Sequence, residues 1–212
     1  MSQHANGLVA ALKLIANLVA ITLVLASAVT CWIEARITRR AEAVFSFWTQ
    51  VFALLPGHPG MYLRRAFYWL TLKQCSLNFF IGFGSLIFHR QTQIESGVYI
   101  GPYAVVGTAK LRKGCLIGTR ANLLSGTEQH QQGADGGWSS SDIGRFRLIE
   151  IGEHAWIGEA AIVMADVGEG SVVAAGAVVS AAIPPAVVVA GNPARFVRTT
   201  VGAGSDRATS SE

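Results

Sequence analysis

The sequence predicts a mainly β chain: a parallel β-helix preceded by an N-terminal helical segment that meets a membrane. Three observations carry this. Between residues 94 and 183 an aliphatic residue recurs at six-residue steps. The rhythm resumes after residues 126–148, a Gly-, Ser- and Gln-rich interruption. Residues 14–33 contain no charged side chain.

The hexad openers are Ile94, Ile100 and Val106; after a five-residue step Leu111, Ile117 and Leu123; after the interruption Ile151, Ile157 and Val163; after a four-residue step Val167, Val173 and Val179. Helices repeat near 3.6 residues and half-buried strands near 2, so a period of six fits neither. It fits a coil of three short faces with one aliphatic and one small inward position per face. The small positions are Val98, Ala104, Cys115, Ala121, Ala155, Ala161, Ser171 and Ala177. A close-packed interior needs that alternation of size. Gly follows many openers, as in Ile117-Gly118 and Ile157-Gly158, and is expected to supply backbone angles that other residues avoid. In a stacked solenoid an inserted loop leaves neighbouring turns intact. An ordinary Val- and Ile-rich sheet would not recover its six-residue phase after residues 126–148.

The front half is different. Residues 1–42 read as a membrane anchor: 14–33 suffice to cross a hydrocarbon core of about 30 Å at 1.5 Å per residue. Trp32 stands where an interfacial aromatic would, and Arg36, Arg39 and Arg40 follow. The positive-inside rule puts that flank, and everything after it, in the cytoplasm; the expected location is the bacterial inner membrane with the main domain cytoplasmic. Lys13, the apolar run and Ala26-Ser27-Ala28 also resemble a cleavable leader. Residues 43–93 read as interfacial helices and a cap. Within them 43–55 form an apolar helix ended by Pro56-Gly57-His58-Pro59-Gly60; Arg64 and Arg65 are placed for lipid headgroups; and 75–93 shield the open end of the coil. The β-helix domain is then 94–198, with 126–148 as its excursion loop, and 199–212 form a disordered tail.

Composition narrows the function. Hydrophobic residues make up 51% and charged residues 14%, too apolar for an ordinary soluble surface. The net charge of +4 suits anionic ligands or an anionic membrane surface; no basic stripe interleaved with aromatics indicates nucleic acid. Cys31, Cys75 and Cys115 lie far apart, consistent with a reducing compartment.

Residues 151–198 resemble the hexapeptide-repeat acyltransferases. The likeness rests on Trp156-Ile157-Gly158, on Ala175 to Val179 (Ala-Gly-Ala-Val-Val), on Pro184-Pro185 and on Gly191 to Arg195 (Gly-Asn-Pro-Ala-Arg). Within that family the chain is most similar to the galactoside, maltose and xenobiotic acetyltransferase branch, including its polysaccharide-cluster members. The resemblance covers residues 94–198 and leaves the front half unexplained. It implies a left-handed β-helix, a homotrimer with sites between neighbouring prisms, and O-acetyl transfer from acetyl-CoA to a sugar or glycan hydroxyl. It implies His130 as general base, in Ser125-Gly126-Thr127-Glu128-Gln129-His130, with Glu128 as a partner that could orient it. For acetyl-CoA it implies Trp156 and Glu159 beside the pantetheine arm, backbone contacts at Ala175, Ser180 and Ala181, and Arg195 and Arg198 on the phosphates. No metal is implied. Two departures stand out: Ala181 replaces a Lys common in relatives, and the Val163–Val167 step shortens one coil near the expected CoA groove.

The chemistry agrees. A thioester is a reactive acyl donor, so one base near neutral pKa suffices and no covalent intermediate is needed. Three other functions use the same scaffold. A non-catalytic scaffold of a membrane glycan-synthesis complex would not bind CoA. N-acyl transfer to an amino sugar needs a similar base. A γ-type carbonic anhydrase needs three metal-bound His, and only His130 stands at a plausible interface.

Overall fold

The computed structural model describes residues 2–38, 41–126, 137 and 146–200. Three helices come first: α1 (Ser2–Ile37), α2 (Ala43–Ala53) and α3 (Gly57–Thr71). The coil follows. Its first turn is β1 (Gln74–Cys75), β2 (Phe80–Ile81) and β3 (Leu86–Ile87), and its second β4 (Gln93–Ile94), β5 (Tyr99–Ile100) and β6 (Val105–Val106). The third is β7 (Ala109–Leu111), β8 (Leu116–Ile117) and β9 (Asn122–Leu123), and the fourth β10 (Ile149–Ile151), β11 (Trp156–Ile157) and β12 (Ile162–Val163). The fifth holds a single bridge at Val167, then β13 (Val172–Val173) and β14 (Val178–Val179). A bridge at Ile183, β15 (Val187–Ala190) and the antiparallel β16 (Arg195–Thr199) close the stack.

Strands stack in parallel into three faces of a prism. The first face is β1-β4-β7-β10, the second β2-β5-β8-β11-β13-β15 with β16 at its edge, and the third β3-β6-β9-β12-β14. The register is what the hexads require. Ile100, Ile117, Ile157, Val173 and Val189 are successive partners on the second face, and all lie in the core. All eight small inward positions are buried as well. Ile117 is fully buried at mid-stack. Ile117→Ala is expected to cost about 2–5 kcal/mol, read as a lowered unfolding midpoint.

The glycines after the openers have a different reason from the expected one. Gly118 and Gly158 do not adopt left-handed angles. A Cβ on Gly118 would stand 2.7 Å from the backbone N of Glu159, and one on Gly158 2.5 Å from that of Ala175. They are Gly because the next turn passes too close for a side chain. The left-handed positions fall elsewhere, at Gly97, Gly114 and Gly176, and at the non-glycine Tyr103, Arg120 and His154.

The coil starts earlier than the sequence boundary at residue 94. Residues expected to form a cap, 75–93, form the first full turn. The first of its small inward positions holds the large Phe79, and a seven-residue step separates Ile87 from Ile94, so the six-residue rhythm is broken at both ends. Its other two small positions carry hydroxyls. Ser85 Oγ donates to Gly101 O (2.6 Å) and accepts from Ala104 N (3.2 Å); Thr92 Oγ1 donates to Gly107 O (2.7 Å). Both residues are fully buried, so those bonds are what make the positions tolerable. The Pro-Gly run also departs from expectation: it ends α2 but opens α3, with Pro56 as N-cap and Pro59 in the first turn, where a missing N–H costs nothing. At the other end β16 extends to Thr199, and residues 201–212 lie outside the described ones.

Helices α2 and α3 close the coil's first end through Phe45, Phe52, Phe67 and Tyr68, with Phe45 and Phe67 stacked at 5.7 Å. Arg64, expected at a lipid surface, is instead 1% exposed. Its guanidinium donates to Phe52 O, Leu55 O and Ile81 O, tying the C-terminal carbonyls of α2 to the first turn. Helix α1 runs beside α3 on a face of small or polar residues: Ala20, Val24, Ser27, Ala28, Cys31 and Glu34 are buried. Its other faces expose Leu14, Leu18, Leu23, Leu25, Val29 and Ile33. Ala11–Ile37 is long and apolar enough to cross a membrane. Trp32 donates its Nε1–H to Leu70 O (3.0 Å), and Glu34 pairs with Arg90 Nη2 at 2.7 Å, so the end of α1 is fastened to the first turn.

Candidate functional site

The residues that could carry chemistry fall on two different edges of the prism. One edge is the corner from the third face to the first. There the excursion loop leaves after β9 and returns before β10, and both stems are described. Arg147 N donates to Ser125 O (3.0 Å), and Ser125 Oγ, buried, accepts from Thr108 N (2.8 Å). Arg147 Nη2 lies 2.5 Å from Asp166 Oδ2, and Asp166 Oδ1 accepts from Glu150 N (2.9 Å). The loop is thus pinned at its base by one ion pair and three hydrogen bonds. His130 and Glu128 lie outside the described residues. Ser180 and Ala181 are exposed two turns further along the same corner.

The second edge is the corner from the second face to the third. Glu159 and Ala175 are both exposed there; Gly176 N donates to Glu159 O (2.8 Å), which sets them on adjacent turns. Trp156 leads into this corner from the second face, 47% exposed, opposite Val172. Val172 pairs with Val188 and Val188 with Arg198, so Arg198 lies in line with Trp156, three strand spacings or about 14 Å away. Arg195, opposite Ala190, is exposed too. Neither arginine has a carboxylate partner among the described residues; each donates only to a nearby carbonyl, of Ala194 and of Thr199.

The structure therefore gathers Trp156, Glu159, Ala175, Arg195 and Arg198 on and beside the second face, and sets Ser180 and Ala181 beside the loop on another edge. The short Val163–Val167 step stands at the loop corner, where it contributes Asp166 to the Arg147–Asp166 pair, and not beside Glu159 and Ala175.

Sequence reasoning missed three features. Phe196, between the two arginines, is 63% exposed, and only its neighbourhood could have marked it. Phe80, Tyr99, Leu116 and Trp156 form an outward apolar column on the second face, in direct register, with the first two rings stacked at 4.9 Å. They precede the buried openers by one place, a signal present in the spacing. His89, assigned to a cap, stands at the loop corner of the first turn. Its Nδ1 lies 2.7 Å from Glu42 Oε2, and its ring 4.6 Å from that of Phe146 at the end of the loop. A contact across 47 residues leaves no trace in a linear pattern. His154 is exposed at a corner, and Cys115 is core, its thiol pushed up to about 12 by burial. Among the described residues no three His, Cys, Asp or Glu side chains gather to hold a metal ion.

The fold is shared with solved structures. The chain superposes on a maltose O-acetyltransferase from Clostridium difficile 630 with a TM-score of 0.58 at 16% identity, covering 74% of this chain and 86% of that one. A galactoside acetyltransferase in complex with coenzyme A gives 0.49 at 18% identity, over 75% and 80% of the two chains. A mutant perosamine N-acetyltransferase from Caulobacter crescentus, in complex with CoA and GDP-perosamine, gives 0.37 at 21% identity over 58% of each chain. No family model and no curated protein matches the sequence. The first superposition establishes the architecture, the left-handed β-helix of hexapeptide turns.

Proposed function

We propose that this β-helix, built like that of a maltose O-acetyltransferase, moves an acetyl group from acetyl-CoA to a hydroxyl of a sugar or cell-envelope glycan precursor. The observation that carries the reading is the pair of cations, Arg195 and Arg198, that have no carboxylate partner among the described residues and share a face with the exposed Trp156. Free guanidinium groups bind phosphate bidentately, and CoA supplies phosphates. Trp156, Glu159 and Ala175 would line the pantetheine arm beside them. His130 would take the hydroxyl proton as the oxygen attacks the thioester carbonyl; the C–S bond breaks, and the leaving thiolate is protonated. Ser180, Ala181 and the loop stand on another edge from Trp156. A site completed by a neighbouring protomer reunites them, which favours a homotrimer. The outward column of Phe80, Tyr99, Leu116 and Trp156 is an apolar surface that such a neighbour would cover.

The exposed leucines of α1 attach the protein to a membrane, with the coil on the cytoplasmic side of the bacterial inner membrane, where acetyl-CoA is made. Replacing Leu18, Leu25 and Ile33 together by Ser is expected to release the protein from vesicles in a flotation assay. Each lost side chain removes about 1.5–3 kcal/mol of transfer energy. All three are at least 44% exposed, so circular dichroism should stay unchanged. A folded triple variant that still floats wholly with the vesicles refutes attachment through α1.

Calorimetric titration of the detergent-solubilised protein with acetyl-CoA tests the donor, independent of the acceptor. Micromolar binding is expected. No binding at millimolar donor would move the reading to a scaffold of a glycan-synthesis complex.

A further inference from the structure

Helices α1 and α3 and the first two turns of the coil border a cavity of about 600 Å³ that shares Phe80 and Tyr99 with the outward column and is lined by none of the proposed donor-binding residues. That volume lies within the about 300–1,000 Å³ usual for small-molecule sites. Lys13, Asn17, His58, Tyr62, Arg65 and Phe80 are among its walls. Its charge is one-sided. No Asp or Glu lines it, and the sequence has none in residues 1–33 or 43–94. Lys13 and Arg65 have no carboxylate partner among the described residues. Arg65 donates to Asn17 Oδ1 and to Phe79 O, and its guanidinium stands 4.6 Å from the centre of the Tyr62 ring. Its Nε is buried and has no hydrogen-bond partner among the described residues. The N-terminus of α3 opens beside it, since His58 is the second residue of that helix and no side chain caps the end. A cationic cavity at an uncapped helix N-terminus favours an anion, above all a phosphate.

A second hollow lies beside the first, across His58 and Tyr62. His58 and Tyr62 line both, and the second, about 350 Å³, is otherwise apolar: Ala16, Val19, Ala20, Leu23, Pro59 and Leu63. It runs along α1, beside the exposed leucines. A free phosphate or a nucleotide would use the first hollow and leave the second empty. A phosphate carrying a hydrocarbon chain uses both.

We propose that these two hollows bind a lipid-borne phosphate, its head among Lys13, His58 and Arg65 and its chain along Val19, Leu23 and Leu63. The proposal rests on the membrane part of the function above and deepens it. A glycan acceptor built on a lipid phosphate would be held by its carrier at the membrane end of the prism, and the local concentration of its sugar near the coil would rise.

The test uses the full chain in phosphatidylcholine nanodiscs, titrated with a short polyprenyl monophosphate, the matching uncharged polyprenol and inorganic phosphate. The monophosphate is expected to bind at least about tenfold more tightly than the polyprenol, with inorganic phosphate weaker still by a further tenfold or more. The Lys13→Gln/His58→Gln variant should lose most of the preference for phosphate over alcohol. The Val19→Ser/Leu23→Ser variant should weaken monophosphate and polyprenol alike. Neither pair includes Arg65, whose bonds to α1 and the first turn help hold the cap together. Acetyl-CoA affinity, measured on the same samples, should be unchanged; this separates loss of the lipid site from failure of the donor reading. Equal binding of monophosphate and polyprenol overturns the proposal. So does inorganic phosphate matching the lipid, which would mean a plain anion site, and so does a Lys13/His58 variant that binds the monophosphate like the unmodified chain.

Discussion

Replacement of His130 by Ala is expected to lower the turnover number by about 10²–10⁴-fold while leaving acetyl-CoA affinity within a factor of two or so. A sugar hydroxyl is a poor nucleophile at neutral pH, and an imidazole that takes its proton during attack supplies that range. The donor, by contrast, is held on the proposed reading by the second face and β16, not by the loop. The informative measurement is therefore the split: thiol release from acetyl-CoA in the presence of acceptor, beside calorimetric donor binding on the same samples. A parallel His89→Ala variant sharpens it. His89 stands at the loop corner with a carboxylate at 2.7 Å, the arrangement that orients a catalytic base. If His89→Ala abolishes turnover and His130→Ala does not, the base has been assigned to the wrong turn of the coil. If neither changes turnover, general-base catalysis by either of these two histidines is refuted.

The second large effect is expected from the arginines. Arg195→Ala with Arg198→Ala should weaken acetyl-CoA binding by about 10–100-fold, from the loss of charge-assisted hydrogen bonds that contribute about 1.5–3 kcal/mol each when fully made and less at an exposed strand. Stability should hardly change, because each side chain bonds only to a neighbouring carbonyl and β16 is exposed throughout. Raising the salt concentration should reproduce part of the loss in the unmodified protein, as screening requires. A double variant that binds acetyl-CoA as before would show that the cations are surface charges.

Much of the coil was legible before any coordinates. Turns two to five follow the hexads from Ile94 to Val179 residue for residue, because each inward position faces the same environment as the one stacked upon it. Periodicity in space becomes periodicity in sequence. The first turn was not legible, because the large Phe79 fills one of its small positions and a seven-residue step separates Ile87 from Ile94; Ser85 and Thr92 fill the other two through hydroxyl bonds to carbonyls 16 and 15 residues away. Arg64 misled for a related reason. A cation looks like surface until three carbonyls converge on it. The glycines of the coil were found, but their cause was not. Only the distance to the next turn shows that Gly158 has no room for a Cβ.

The coil, its interruption and the uncharged run of α1 are written in the local order of apolar, small and charged residues. Tertiary structure alone decided which residues meet. It divided Trp156 and Glu159 from Ser180 and Ala181, because a three-sided coil sends residues a few places apart to different edges. It brought His89 to Glu42 and Phe146, and Lys13 to His58 and Arg65. Those meetings depend on helices folding back over the first turn, a long-range packing that burial of apolar surface drives and no short-range pattern encodes.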